Sequence, residues 1–209
     1  EAYGMTEATH QMCCNPLPPR EQKPGSVGVA AGPEVRIADE TEDRLLDAGA
    51  TGEVVISGPN VTPGYEGNPK ANESSFFMAE GKRWFRTGDQ GAFDDDGYLS
   101  LTGRLKEIIN RGGEKISPLE VDAVMLSHPE IAQVVCFAVP HDKLGEEIAA
   151  DVVLKEGSSL DERAIRDFTA QHVADFKVPR SVVILEEIPK GATGKIQRIG
   201  MAEKLGLTG

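Results

Sequence analysis

Four short stretches hold residue types that together would serve a nucleotide and an acid to be activated. The chain opens with Tyr3-Gly4-Met5-Thr6-Glu7. It offers an aromatic face for a base, a hydroxyl for a phosphate, a carboxylate for Mg2+ and a glycine that lets another backbone come close. Trp84-Phe85-Arg86-Thr87-Gly88-Asp89 reads as a strand ending in a turn with an outward carboxylate. Gly112-Gly113 leaves backbone N–H groups without side-chain cover, open to a ligand. Near the end, Pro189 to Arg198 carries Lys195 on a Gly-Ala-Thr-Gly loop, a means of bringing a point charge to a phosphate and withdrawing it later. Each stretch taken alone also fits a solvated loop. His10-Gln11 follows the first one directly, and a polar pair there suits a small, polar or doubly charged acid better than a long alkyl tail, with a structural histidine as the alternative.

The elements that must position these groups fall into two regimes. Up to about residue 105 the pattern is short β-rich runs separated by turns: Gly25 to Ala31, Glu34 to Ala38, Gly52 to Ser57, Trp84 to Asp89 and Tyr98 to Leu101, with a short helix from Pro69 opened by Asn68. The four prolines between Pro16 and Pro24 mark a surface loop, and the acidic run Asp39 to Asp47 reads as a solvated one. Leu101 to Glu120 is the joint: Thr102-Gly103 breaks a strand, Arg104-Leu105-Lys106-Glu107 is densely charged, and a flexible glycine pair precedes a helix. Ser117, Pro118 and Glu120 stand at the cap, first and third positions of that helix. Beyond it come strands Ile131 to Val139, Ile148 to Leu154 and Val182 to Leu185. A second capping box, Ser159 to Glu162, opens a helix in which Ile165, Phe168 and His172 share a face. Two helices against about three strands make a small α+β domain.

Composition narrows the function. The 209 residues, 39% hydrophobic, suffice for one large or two small packed units in a soluble globular protein. A net charge of −12 disfavours nucleic acid or an anionic membrane as partner. Cys13, Cys14 and Cys136 have neither zinc-ligand spacing nor an even count, and read as small buried residues of a reducing compartment. No apolar run approaches the roughly 20 residues of a membrane span, and no signal segment or peroxisomal tail is seen, so the cytoplasm is expected.

These motifs and their order resemble the adenylate-forming enzymes: acyl-CoA synthetases, luciferases and peptide-synthetase adenylation domains. The resemblance runs over essentially the whole chain. It implies that residues 1–105 are the β-rich end of a large AMP-binding domain and residues 106–209 a small mobile α+β domain, hinged at Lys106. It implies that Tyr3 stacks on adenine beside Gly4, Thr6 meets phosphate, Glu7 binds the Mg2+ of ATP, Asp89 takes both ribose hydroxyls and Arg104 contacts the ribose. Gly112 and Gly113 would face coenzyme A, and Lys195 would stabilise the α-phosphate and the attacking carboxylate. YGMTEATHQM, NPLPP, INRGGEKISPLEVDAV, FKVP and GKIQR look most like the oxalyl-CoA synthetase branch, near the coumarate and medium-chain ligases. Oxalate or another short acid, with His10 at its distal carboxylate, is therefore the expected substrate. A medium-chain or aryl acid ligase, a carrier-loading adenylation domain and a non-catalytic nucleotide-binding module are the other readings. No Ser/Thr/Gly-rich phosphate loop precedes Tyr3, so the chain is expected to be a fragment that supplies half of a site, lacks the N-terminal domain and is inactive alone.

Overall fold

A computed structural model describes residues 1–191, 194 and 196–207. The chain divides into two compact units, Glu1–Leu105 and Lys106–Gly209. In the first unit β1 (Ala2–Met5), β2 (His10–Cys14) and β3 (Val29–Ala30) form a three-stranded antiparallel sheet, with one tight helical turn at Thr6–Ala8 between the first two. A second sheet holds β4 (Glu34–Ala38), β5 (Gly52–Ser57), β6 (Phe76–Ala79), β7 (Lys82–Phe93) and β8 (Leu99–Arg104), all paired antiparallel. The unbroken Val54-Val55-Ile56 run of β5 follows from burial on both faces. Val54 and Ile56 join a core with Tyr3, Met12, Phe85 and Leu99, whereas Val55 packs with Ala38, Phe77 and Trp84. Helix α1 (Pro69–Ser75) opens as expected, with Asn68 accepting from the Ala71 N–H and proline at the first position.

Four sequence expectations change here. β7 does not end at Thr87-Gly88-Asp89. It runs on to Phe93, absorbing Gly88 at φ +75° and a register shift, and Asp89 is buried, not outward. β8 likewise continues through Thr102-Gly103 to Arg104, and the strand expected over Gly25 to Ala31 shrinks to Val29–Ala30. The acidic loop is not merely solvated. Arg86 donates to the carbonyls of Asp39 and Glu42 and pairs with Asp43 and the buried Glu53, at 3.0 and 2.6 Å.

The second unit is built on five strands rather than about three: β9 (Ile109–Arg111), β10 (Glu114–Ile116), β11 (Ile131–His141), β12 (Gly145–Leu154) and β13 (Ser181–Ile184), β13 pairing parallel to β12. Helices α2 (Pro118–Leu126) and α3 (Glu162–Ala170) bring Val121, Met125 and Ile165 onto Val134, Cys136, Ile148 and Val152. On the other face Ile188 and a short α4 (Met201–Lys204) cover Val135, Phe137 and Ala149. Two-sided burial again explains a continuous apolar strand, Val134 to Val139. The cap of α3 is Asp161, whose side chain accepts from Ala164, and not Ser159. The glycine pair is the two-residue turn joining β9 to β10, with φ of +60° and +98° and the Gly112 N–H bonded to the Leu144 carbonyl. It is a tight hairpin turn rather than a loose tether. No helix among the described residues is long and apolar enough to cross a membrane.

Candidate functional site

Three residues that the sequence marks separately meet in the first unit. The Tyr3 hydroxyl donates to Asp89 Oδ2 at 2.6 Å, and Arg104 Nε lies 3.1 Å from Asp89 Oδ1. Position follows from strand register: β7 and β8 pair Asp89 with Arg104, and the Tyr3 ring reaches across from β1 as part of the core. The Asp89 backbone N–H donates to the Thr87 hydroxyl, which itself donates to the Val54 carbonyl, so the carboxylate stands on a fixed base. Glu53 also accepts from the Gly88 N–H, tying this turn to the Arg86 anchor. Burial first, then the Asp89 carboxylate, pushes the Tyr3 phenol well above its ordinary range, and it remains a neutral donor. An ionised carboxylate has about four acceptor positions, of which Tyr3 and Arg104 occupy two. The remaining two suit a pair of hydroxyls. The Tyr3 ring, 8% exposed, is already packed and offers a base little surface as it stands.

Thr6 and Glu7 sit on the turn after β1. That turn is held by one loop: Thr62 N–H donates to the Glu7 carbonyl, Asn60 Nδ2 to the Ala8 carbonyl, and Thr9 Oγ1 to the Asn60 carbonyl. The Tyr65 hydroxyl donates to Glu7 Oε1 at 3.0 Å, while Asn72 of α1 holds the Tyr65 backbone at both its N–H and its carbonyl. In the sequence Tyr65 has no signal beyond being an aromatic residue directly after Pro63-Gly64. Burial and then Glu7 raise its phenol too, so it donates at neutral pH. Glu7 keeps one carboxylate oxygen for a cation. Among the described residues no group of three or more His, Cys, Asp or Glu could hold a metal. One carboxylate completed by phosphate oxygens and water is a donor set that fits Mg2+.

Gly4 makes room for protein and not only for ligand: its missing side chain clears the His10 carbonyl on β2. His10 is exposed, with a left-handed backbone at φ +85°. Cys13 and Cys136 are buried and Cys14 half-buried, all as free thiols. Burial pushes the Cys13 thiol up to about 12, so it is inert.

In the second unit Lys106 is exposed in the turn Leu105–Glu107, and Gly113 opens onto free space. Lys195 lies outside the described residues. Its loop has a defined base: Lys190 and Ile196 form an antiparallel bridge, and Gly191 packs against the Gln197 side chain.

Residues 1–66 match the family model described as AMP-binding enzyme, and residues 120–195 that of the AMP-binding enzyme C-terminal domain. A probable CoA ligase of Humulus lupulus is 56% identical over 97% of this chain, and the oxalate–CoA ligase of Saccharomyces cerevisiae is 53% identical over 97%. The chain spans 38% and 37% of those proteins' lengths. The ATP-bound crystal structure of MatB from Rhodopseudomonas palustris superposes with a TM-score of 0.88 at 31% identity, covering 97% of this chain and 40% of that one.

Proposed function

The chain belongs to the AMP-binding, adenylate-forming enzymes, and from that premise we propose that the protein containing it is an ATP-dependent acyl-CoA synthetase acting on a small dicarboxylic acid such as oxalate. The observation that carries this reading is the convergence of Tyr3 and Arg104 on the buried Asp89 carboxylate. Residues 1–105 act as the end of the large nucleotide-binding domain and residues 106–209 as the small domain, with Lys106 as the pivot.

The chemistry has two steps at one site. A carboxylate oxygen of the acid attacks the α-phosphorus of ATP, forming the acyl-adenylate and releasing pyrophosphate. The coenzyme A thiol, losing its proton, then attacks the acyl carbon and releases AMP. In this scheme Asp89 accepts the ribose hydroxyls, with Tyr3 and Arg104 fixing its orientation. Thr6 meets a phosphate, and Glu7, held by Tyr65, offers its free oxygen to Mg2+, which would neutralise phosphate charge. Lys195 meets negative charge as it builds between acid and α-phosphate. Gly112 and Gly113 give coenzyme A a side-chain-free approach. The substrate class rests on two supports: the exposed, polar His10 at the head of β2, and the activity named for the yeast relative.

The test is pyrophosphate release by the full-length protein across carboxylic acids. Oxalate should lead, and His10→Ala should raise KM for oxalate about tenfold or more while leaving an unsubstituted fatty acid within about twofold. Equal effects on both acids would remove His10 from substrate recognition, and no pyrophosphate release with any acid would overturn the ligase reading.

A further inference from the structure

Arg198 lies three residues beyond Lys195. One guanidinium reaches three partners on three different elements: Nη2 to Asp122 Oδ2 of α2 at 2.7 Å, Nη1 to the Cys136 carbonyl of β11 at 2.9 Å, and Nε to Glu107 Oε2 at 3.2 Å. The other Asp122 oxygen accepts from the Cys136 N–H at 2.7 Å, so helix, strand and arginine form one closed network. Side-chain exposure is 14% for Arg198 and 9% for Asp122, so these contacts are little screened by solvent. Burial raises the Asp122 carboxyl above its usual range against the opposing pull of Arg198. Glu107 is the residue directly after Lys106. It lines, with Lys106, Glu146, Arg198 and Gly200, a cleft of about 190 Å3.

We propose that Arg198 is a positioning residue: clamped between Asp122 and Glu107, it fixes the base of the loop that delivers Lys195 and ties that loop to the hinge turn. The proposal rests on Lys195 acting in adenylation as described above. Three residues span at most about 11 Å, so whatever holds residue 198 limits where Lys195 can go. A lysine carried on a Gly-Ala-Thr-Gly segment needs a rigid foot if its ammonium is to meet developing charge without first being ordered. The Lys190–Ile196 bridge closes the loop, and the Arg198 network attaches it to the fold. Because Glu107 adjoins the pivot, the same guanidinium ties residue 198 to the hinge turn. A lysine at 198 keeps the charge but not the fork that reaches three partners.

The experiment uses the full-length protein. Arg198→Ala should slow pyrophosphate release about 100-fold at saturating ATP, with KM for ATP within about threefold and thioester formation from preformed acyl-adenylate also within about threefold. Arg198→Lys should recover less than about a tenth of the lost rate, since two of three contacts stay broken. Adding Arg198→Ala to Lys195→Ala should cost nothing further, because there is no longer an ammonium to place. Multiplying penalties, or an equal fall in both half-reactions, would show Arg198 to be merely structural. Hydrogen exchange supplies a readout that needs no substrate: amides 190–197 should exchange about tenfold faster in Arg198→Ala and in the milder Asp122→Asn and Glu107→Gln variants. Unchanged exchange in all three would overturn the clamp whatever the activity. Altered exchange in a protein that activates no acid would leave the clamp standing and overturn the ligase reading instead.

Discussion

No side chain can stand at position 4 while His10 keeps its backbone: a Cβ built on Gly4 would lie 1.8 Å from the His10 carbonyl oxygen. Strand β2 bulges at Met12, the extra residue opposite the Tyr3-Gly4 step of β1, and His10 turns left-handed at φ +85° to bring its carbonyl into that notch. The strain of His10 and the bareness of Gly4 are therefore one feature, and Tyr3, Thr6 and Glu7 all hang on it. Gly4→Ala should lower stability by about 3 kcal/mol or more, read from urea midpoints, because the clash is with backbone and cannot relax by a rotamer change. An unchanged midpoint would mean that the two strands part without cost.

Tyr3 and Asp89 form the second coupled pair. Tyr3→Phe removes the donor to a buried carboxylate and should cost about 2 kcal/mol, with little lost packing since the ring stays. In an Asp89→Asn background the same change should cost about 1 kcal/mol less, which a four-variant denaturation cycle measures. Additive penalties would separate the two residues energetically despite their 2.6 Å contact.

Much of this architecture is legible from side-chain period and caps. The Asn68 cap and the main strands of both units follow from local signals. What misleads is also local. Thr87-Gly88 looks like a turn, but β7 tolerates a left-handed glycine as an irregularity and carries Asp89 inward. Ser159 and Asp161 are equally good caps by type, and the choice falls to Asp161, with Leu160 packed against the core cluster that holds Ile165. The site residues themselves carry recognisable motifs, whereas their supports do not. Tyr65 finds Glu7 across 58 positions and Arg198 finds Asp122 across 76, partnerships that only the folded sheets create.

The Tyr65 support predicts a metal phenotype. Tyr65→Phe frees Glu7 Oε1 from its donor, so the carboxylate can rotate away from the cation, as when a metal ligand loses its outer hydrogen bond. The Mg2+ concentration for half-maximal pyrophosphate release should rise about tenfold, with KM for the acid unchanged. Mn2+ binding followed by electron paramagnetic resonance in the presence of ATP should weaken in parallel. A Mg2+ titration that overlays the wild type would detach Tyr65 from the metal.

Asp151 predicts a pH dependence of stability in the second unit. It lies on β12 opposite Val135, fully buried, and neither carboxylate oxygen has a hydrogen-bond partner. Its neighbours on that face, Ala149 and Val153, belong to the apolar cluster of Phe137, Ile188 and Met201, so nothing there stabilises a negative charge. Burial raises the carboxyl to about 6. An acid with a higher value in the folded than in the unfolded chain holds its proton more tightly when folded. Stability is then greatest below about pH 4, the unfolded value, and falls as pH rises through 6, above which the penalty is constant. The loss should be on the order of 2 kcal/mol. Asp151→Asn cannot ionise, so it should flatten this slope and exceed the wild type in stability at pH 7.5 while lying at or below it at pH 4. Urea denaturation of both proteins from pH 4 to pH 8 measures this. Parallel curves across that range would mean that Asp151 keeps an ordinary carboxyl inside the fold.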